Sequence, residues 1–329
     1  MNEKASMKAI CVDRNGGPEV LTFKDVPALG SPGPGRVVVK VCAAGVNFMD
    51  IGQRRGVYPR ELPFIPGVEG AGIVSDVGEG VTNVKVSDRV AFSGQSGAYA
   101  EEIMVDADWL IPLPDALSFE EGAAFPLQGM TAHYLIHDFR KPEPGDFVLV
   151  HAASGGLGGL LAQWARHLGA TVIGTVSSEQ KAAAARDAGA QHVIIYTEQD
   201  FAEETMRLTG GHGADVIFDS VGQTTFKSDL DAIAFRGHIV CCGATSGPPD
   251  TIQPYALSPR SASLSFAGRW ARTPAELMSR ANDVIAGLDQ GWLRLNIGAV
   301  LPLEHAGEAH GLIESRRSQG KIVLSIAGD

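Results

Sequence analysis

Hydrophobic and polar positions follow two different rhythms along this chain, and the rhythm changes near residue 126. In the first part Val37, Val39 and Val41 alternate with Val38 and Lys40. A period of two is typical of a strand with one buried face. Turn residues recur about every ten residues, which predicts a compact β-barrel-like domain. The predicted strands cover residues 7–12, 36–41, 67–77 and 88–92.

Strands and helices alternate in the second part of the chain. The run from Phe147 to His151 is apolar throughout, as in a strand buried on both faces of a parallel sheet. The alternation that follows predicts a doubly wound α/β sheet. It ends near residue 260, after which the pattern predicts a helix over 274–288 and a strand over 321–326. The predicted order is strand 147–151, helix 157–168, strand 171–176, helix 179–188, strand 192–196, helix 201–208, strand 214–219, helix 224–235 and strand 238–243.

A glycine-rich turn joins the first of these buried strands to its helix. The turn reads Ser154-Gly155-Gly156-Leu157-Gly158. A dinucleotide pyrophosphate needs a tight turn, backbone N–H groups aimed at its charge, and a small residue where the helix meets the strand. These five residues are therefore predicted to bind the cofactor. A glycine-rich helix start used only for packing is the alternative.

The residue that distinguishes NAD from NADP follows the second strand of this sheet. An NAD site usually has Asp or Glu there, about 20 residues beyond the glycines, to bind the ribose hydroxyls. This chain has Ser177 at that position, and Lys181 lies one helical turn further. A serine can donate to a 2′-phosphate and a lysine adds positive charge, so NADPH is the predicted cofactor. Glu179 lies nearby and leaves the acidic alternative open.

Composition and charge restrict the class of protein. A chain of 329 residues is long enough for about two domains. A net charge of −11 argues against nucleic acid or anionic lipid as a partner. The chain shows no apolar signal segment and no apolar run of membrane length, so we expect a cytoplasmic protein. The four cysteines form no Cys-x-x-Cys pair and are expected to be reduced.

Four segments together resemble the medium-chain dehydrogenase/reductase superfamily, and most of all its zinc-free, zeta-crystallin-like quinone oxidoreductase branch. The resemblance implies a Rossmann doubly wound parallel sheet and a GroES-like β-barrel substrate domain. Residues 1–125 would form the first part of the substrate domain, 126–265 the NADPH-binding domain, and 266–329 a return to the substrate domain. The matching segments are 44–50, 66–72, 154–159 and 219–222.

The resemblance also implies chemistry without zinc. Zinc-dependent relatives have a cysteine ligand where this chain has Asn47 and a histidine where it has Val68. Their four-cysteine lobe has no counterpart between Asp88 and Glu102. No metal is therefore expected, and the implied substrates are quinones or α,β-unsaturated carbonyls, which accept hydride without a Lewis acid.

The same resemblance assigns the candidate catalytic residues. Asn47 is implied at the nicotinamide end, with its amide toward cofactor or substrate, and Tyr58 in the substrate pocket, where its hydroxyl can bind or protonate an oxygen. Many relatives have a tyrosine where this chain has Gly52, so a wider pocket is expected there. The further implied cofactor contacts are Thr131, Tyr196, Ser220, Gly243, Ala244, Thr245 and Arg316 or Arg317.

The resemblance implies a homodimer or a dimer-based oligomer through an edge strand at residues 261–267. Two alternative functions remain open. An enoyl-thioester (enoyl-CoA or enoyl-ACP) reductase would need a basic entrance, which Arg54, Arg55 and Arg60 could form. A non-catalytic NADPH-binding protein with a structural or RNA-binding role is the other, and the acidic charge disfavours RNA.

The cofactor assignment predicts the effect of one substitution. Replacing Ser177 with Asp should shift the preference from NADPH toward NADH, because a carboxylate repels the 2′-phosphate and accepts hydrogen bonds from ribose hydroxyls. The measurement is the ratio of the two dissociation constants in wild type and variant. An unchanged ratio would remove Ser177 from the 2′-phosphate site.

Overall fold

The computed structural model describes residues 6–249, 251, 253–268, 271–315 and 318–326. Its contacts divide the chain into two compact units. Unit 1 comprises Met1–Leu127 and Ile297–Asp329, and unit 2 comprises Gln128–Asn296. The chain thus rejoins unit 1 at Ile297 rather than at the expected residue 266.

Packing of the helix over Pro274–Asp289 explains the later boundary. Arg280 of this helix binds Asp138 through two hydrogen bonds of 2.9 and 2.7 Å. Beyond the helix, the Trp292 ring packs edge-on against Trp164, with 5.1 Å between the ring centroids. Both partners belong to unit 2, so residues 266–296 stay with that unit.

Unit 1 is built on a seven-stranded sheet and a separate two-stranded sheet, β1–β2. The seven-stranded order is β14-β15-β3-β4-β5-β7, with β6 pairing with β3. Val37, Val39 and Val41 of β3 are fully buried, as their alternation predicts. In chain order the elements are β1 (Ser6–Val12), β2 (Leu21–Pro27), β3 (Arg36–Val46), α1 (Phe48–Arg55), β4 (Glu69–Val77), β5 (Arg89–Ser93), β6 (Glu102–Asp106), β7 (Leu110–Pro112), α2 (Phe119–Ala124), β14 (Ile297–Pro302), α9 (Ala306–Glu314) and β15 (Lys321–Ser325).

Unit 2 contains one six-stranded sheet in which all neighbouring strands are parallel. Its order is β10-β9-β8-β11-β12-β13, which is the doubly wound order with a switch point between β8 and β11. The predicted α/β fold is confirmed. The elements are α3 (Pro126–Asp138), β8 (Phe147–Val150), α4 (Gly156–His167), β9 (Thr171–Val176), α5 (Glu179–Asp187), β10 (His192–Ile195), α6 (Phe201–Leu208), β11 (Ala214–Asp219), α7 (Phe226–Ala232), β12 (Ile233–Cys241), β13 (Ser263–Phe266) and α8 (Pro274–Asp289).

The predicted helix over 224–235 is too long. Helix α7 ends at Ala232, and Ile233 begins β12 by pairing with Ala214. The strand then bends at Arg236, whose φ of 62° is left-handed. An apolar run before the bend suits both a helix and a strand, and pairing with β11 decides for the strand. Within the described residues, every helix is too short or too polar to cross a bilayer.

Candidate active site

The glycine-rich turn has the geometry that a pyrophosphate requires. Strand β8 ends at Val150, and Gly155 is the extended N-cap of α4, so the first N–H groups of a twelve-residue helix face the turn. A Cβ on Gly158 would lie 2.3 Å from the Ala152 carbonyl oxygen. Only glycine therefore permits this approach of α4 to the turn, as at the third glycine of a dinucleotide-binding fingerprint.

Most other predicted cofactor residues lie at the carboxyl edge of the same sheet, where ligands bind in such folds. Ser177 follows β9, Tyr196 follows β10 and Ser220 follows β11. Residues 243–245 (Gly243, Ala244 and Thr245) follow β12, and Lys181 lies in the first turn of α5. Thr131 lies on α3. Arg316 and Arg317 lie outside the described residues.

The end of β9 suits a phosphate better than a ribose diol. Ser177 is half-buried, and its carbonyl oxygen accepts a hydrogen bond from the Thr197 hydroxyl at 3.2 Å. Glu179, the nearby acidic residue, forms an ion pair with Arg186 at 3.0 Å. The Glu179 carboxylate thus has a cation partner, and position 177 itself has a hydroxyl.

In unit 1, Asn47 lies in a buried charged cluster formed with Glu69 and Lys321. Its amide nitrogen donates to Glu69 Oε1 at 2.9 Å and to the Gly45 carbonyl at 3.3 Å. Its Oδ1 accepts from Lys321 Nζ at 2.7 Å, and Lys321 also pairs directly with Glu69. Asn47 is 6% exposed, Lys321 2% and Glu69 0%. Both amide hydrogens of Asn47 are therefore used inside unit 1, whereas the sequence suggested an amide directed at a ligand.

A second buried chain of hydrogen bonds connects α9 to the start of α1. Arg54 has only hydrogens to offer, so His310 Nδ1 accepts from its Nη1 at 3.2 Å. The ring hydrogen of His310 then lies on Nε2, which donates to the Tyr99 hydroxyl oxygen at 3.2 Å. Tyr99 in turn donates to Asp50 Oδ2 at 3.3 Å. Because Arg54 can only donate, it determines which group donates and which accepts in each of these hydrogen bonds.

Asp50 receives two further donors, the N–H groups of Asn47 at 2.9 Å and of Val68 at 3.1 Å. Burial raises the pKa of Asp50 to about 7, and the Asn47 N–H group, the Lys321 charge and the Tyr99 hydroxyl oppose that rise. Burial lowers the pKa of His310 to about 3, and the charge of Arg54 lowers it further. His310 is therefore the neutral tautomer that the chain of hydrogen bonds requires.

Arg54 does not form the basic entrance considered for an enoyl-thioester reductase. Its side chain is fully buried and forms an ion pair with Glu314 at 2.7 Å. Arg55 lies 3.6 Å from the same carboxylate. The basic entrance expected from Arg54, Arg55 and Arg60 is therefore wrong in this respect. Glu314 holds Arg54 inside unit 1 and offsets the charge of Arg55.

Tyr58 occupies the space that Gly52 leaves open. A Cβ on Gly52 would lie 2.4 Å from Cδ2 and 2.5 Å from Cε2 of the Tyr58 ring. The expected widening at position 52 is thus filled by an aromatic ring that comes from the loop after α1. Tyr58 nevertheless remains 49% exposed.

Comparisons with known proteins agree with this architecture. The alcohol dehydrogenase GroES-like domain model matches residues 33–115, and the zinc-binding dehydrogenase model matches 156–283. A 2-haloacrylate reductase from Burkholderia is 39% identical over 96% of this chain and 98% of its own. A quinone oxidoreductase from Pseudomonas aeruginosa is 40% identical over 94% of this chain and 96% of its own. The chain belongs to the quinone oxidoreductase branch of the medium-chain dehydrogenase/reductase family.

A solved member of this family superposes closely. The structure of Escherichia coli quinone oxidoreductase complexed with NADPH has a TM-score of 0.92 and 36% identity, covering 97% of this chain and 99% of that one. The resemblance inferred from the four sequence segments is thereby confirmed.

Zinc, which one of the family models implies, does not fit the residues present in this family member. Position 47 offers an amide whose oxygen already binds the Lys321 ammonium group. That buried positive charge repels a divalent cation, and Val68 offers no ligand atom. No step of the chemistry is therefore assigned to a metal at this position.

Sequence reasoning missed the charged residues around Asn47. Glu69 and Lys321 each begin a strand whose other residues are mostly apolar or glycine. A charged residue at the first position of an otherwise apolar strand is the sequence signal that could have identified Glu69 and Lys321, because a buried charge requires a partner. Asp50, Tyr99 and His310 are identified only by the fold, which brings together distant parts of the chain.

The cluster predicts strong coupling between two substitutions. Lys321→Met leaves the Glu69 carboxylate buried without its cation and should lower the free energy of unfolding by about 3–5 kcal/mol. Glu69→Gln combined with Lys321→Met should cost less than the sum of the single changes, by about 1 kcal/mol or more. Denaturant unfolding of the four proteins measures this.

The exposed Lys8–Asp25 pair, with 2.8 Å between Lys8 Nζ and Asp25 Oδ2, provides the control. Lys8→Met should change the stability by about 1 kcal/mol at most. Additive effects of Glu69→Gln and Lys321→Met would contradict the assigned ion pair.

Proposed function

We propose that this chain is an NADPH-dependent, zinc-independent reductase that transfers hydride to quinones or activated α,β-unsaturated carbonyls. The observation that carries the proposal is the Asn47–Glu69–Lys321 cluster, which has an internal ammonium group where zinc-dependent relatives have a metal ligand. Without a Lewis acid, an acceptor must already be electron-poor. Quinones and activated alkenes meet this requirement because hydride adds to carbon and the negative charge moves to oxygen.

NADPH is the proposed cofactor on the basis of residues in unit 2. The glycine turn offers the N-terminus of α4 to a pyrophosphate, and Ser177 with Lys181 suits a 2′-phosphate. The NADPH complex of the E. coli relative supports the same choice. When bound, NADPH supplies the hydride.

The protein's own contribution is to hold the acceptor and stabilise the charge that develops on its oxygen. We assign the hydroxyl of Tyr58 to this oxygen, as a hydrogen-bond donor and as a source of the proton. Asn47 has both amide hydrogens engaged, so a contact of its side chain with a ligand would use Oδ1, which also accepts from Lys321. Lys321 and Glu69 hold that amide in one orientation.

We also propose a homodimer in the cytoplasm. Strand β13 ends the sheet of unit 2 within the described residues, and Phe266 on it is 60% exposed. A second copy of β13 would pair with this edge and cover the exposed ring. The four cysteines are free thiols, which suits a reducing compartment.

A spectrophotometric assay of NADPH oxidation tests the proposed function. We expect oxidation with a quinone and with an α,β-unsaturated ketone, and slower oxidation of NADH with the same acceptors. Turnover with an enoyl-CoA alone would favour the thioester alternative. Tight NADPH binding with no oxidation by any of the three acceptors would contradict an enzymatic role.

Tyr58→Phe tests the proposed proton donor. The ring over Gly52 is retained, so a loss of kcat/KM by about tenfold or more reports the hydroxyl, since each 1.4 kcal/mol is one decade. Asn47→Ala should lower kcat/KM by a similar factor. Tyr255→Phe alters an exposed tyrosine of unit 2 and is the matched control. Unaltered kinetics in Tyr58→Phe would remove Tyr58 from the mechanism.

Light scattering at micromolar concentration tests the dimer. The Ala267 N–H donates to Cys241, so by alternation the N–H of Phe266 points to the open edge. Phe266→Pro should produce monomers because it removes that donor, whereas Phe266→Ala keeps the donor and should remain dimeric. A monomeric wild type would exclude the proposal.

A further inference from the structure

A buried polar cluster beneath the glycine turn of unit 2 has no part in the proposed mechanism. It consists of His151, Asp219 and Asp229, whose side chains are at most 1% exposed. Their imidazole and carboxylate atoms lie within 4.8 Å of one another. Charged groups buried this deeply require compensation by hydrogen bonds.

Each ring nitrogen of His151 has a polar partner. Its Nε2 lies 2.8 Å from Asp229 Oδ1 and its Nδ1 lies 2.9 Å from the Thr175 hydroxyl. The Phe201 ring packs edge-on against the imidazole, with 4.8 Å between centroids. Both ring nitrogens therefore have protein partners, and neither has a free lone pair to offer a metal ion.

Asp219 acts only as an acceptor. Its Oδ1 receives the N–H groups of Val221 at 2.7 Å and Gly222 at 3.0 Å. The Thr225 hydroxyl lies 3.0 Å from both of its oxygens. Three donors are thus directed at one carboxyl group.

Asp229, unlike Asp219, has a carboxylate oxygen that receives no donor from the described residues. Its Oδ2 is buried and, within the described part of the chain, has no hydrogen-bond partner in its own right. Burial raises the pKa of Asp229 to about 6, His151 opposes the rise, and the Asp219 carboxylate adds to it. The neighbouring thiols of Cys241 and Cys242 stay neutral, because burial and the Asp219 carboxylate raise the pKa of each, and Asp229 adds to the rise at Cys241. For two adjacent buried carboxyl groups, sharing one proton costs less free energy than ionising both groups.

We propose that Asp219 and Asp229 share one proton. Together with His151, this hydrogen-bonded pair fixes the relative positions of the strand ends that carry the cofactor-binding residues. The three side chains are thus positioning residues for NADPH. The inference rests on the proposed function, since it concerns the same cofactor. It adds residues that touch neither cofactor nor substrate.

The connections reach four strands. Thr175 lies on β9, two residues before Ser177, and His151 directly follows β8, three residues before Ser154. Asp219 ends β11 beside Ser220, and its carbonyl oxygen accepts from the Cys242 N–H at 2.7 Å. Cys242 directly precedes residues 243–245. A change in the shared proton would therefore be felt at the loops that follow β8, β9, β11 and β12.

Three amide variants test the shared proton. In Asp229→Asn, the amide can donate to Asp219 and still accept from His151, and in Asp219→Asn the amide can donate to Asp229. Each single variant supplies one hydrogen between the two groups, so the NADPH dissociation constant should stay within about twofold of wild type. The double variant places two donors against each other and should raise that constant by about tenfold or more.

Asp231→Asn, on an exposed carboxylate just past Asp229 in the same helix, is the matched control and should leave the dissociation constant unchanged. Infrared spectra from about pH 6 to pH 9 give a second readout. Besides the contribution of Asp50, wild type should show a second protonated-carboxyl component that weakens as the pH rises, and this second component should be missing from both single variants.

These readouts separate the two proposals. A wild type that fails to bind NADPH overturns the proposed function, and the infrared band still decides the shared proton. A double variant that binds NADPH as tightly as the single variants overturns the positioning role. Identical infrared titrations of wild type and Asp229→Asn overturn the shared proton itself, even if the double variant does not fold.

Discussion

The buried ion pair between Lys321 and Glu69 is the interaction on which the rest of unit 1 depends. Strands β15, β3 and β4 are neighbours in one sheet. Lys321 begins β15, Asn47 follows β3 and Glu69 begins β4, and antiparallel pairing brings these three positions to the same end of the sheet. Removing two charges from water costs several kcal/mol for each ion, and only close, well-directed partners offset that cost. The amide of Asn47 supplies such partners, so its orientation follows from the need to satisfy the pair.

This constraint also explains why the carboxyl-terminal strand must return to the first unit. Lys321 lies 252 residues from its carboxylate partner, and His310, on the helix before β15, binds both Arg54 and Tyr99. The returning segment therefore contributes a cation and a neutral imidazole to networks that begin at α1. An amide held by an ion pair takes the place of a metal ligand, and the chemistry then depends on the acceptor's own electron deficiency.

The sequence patterns predicted correctly those helices and strands whose bounds depend on neighbouring residues alone. Strands β8 to β11 and helices α4, α5 and α6 lie within one residue of their predicted bounds, because apolar runs and glycine turns specify them without distant contacts. Helix α7 was predicted too long because residues 233–235 suit a helix and a strand equally, and only pairing with β11 decides. The return to unit 1 was placed too early because the contacts of Arg280 and Trp292 are long-range.

The same division holds for the candidate site. The glycine turn could be read from the sequence because its function depends on consecutive residues. The His310–Tyr99–Asp50 chain could not, since Arg54 and His310 are 256 positions apart and the tautomer that joins them follows from geometry. The ring of Tyr58 over Gly52 was missed for a similar reason, because the resemblance describes position 52 and not the loop that fills it. Both units thus contain buried polar networks next to their candidate residues: Lys321 with Glu69 in unit 1, and His151 with Asp229 in unit 2.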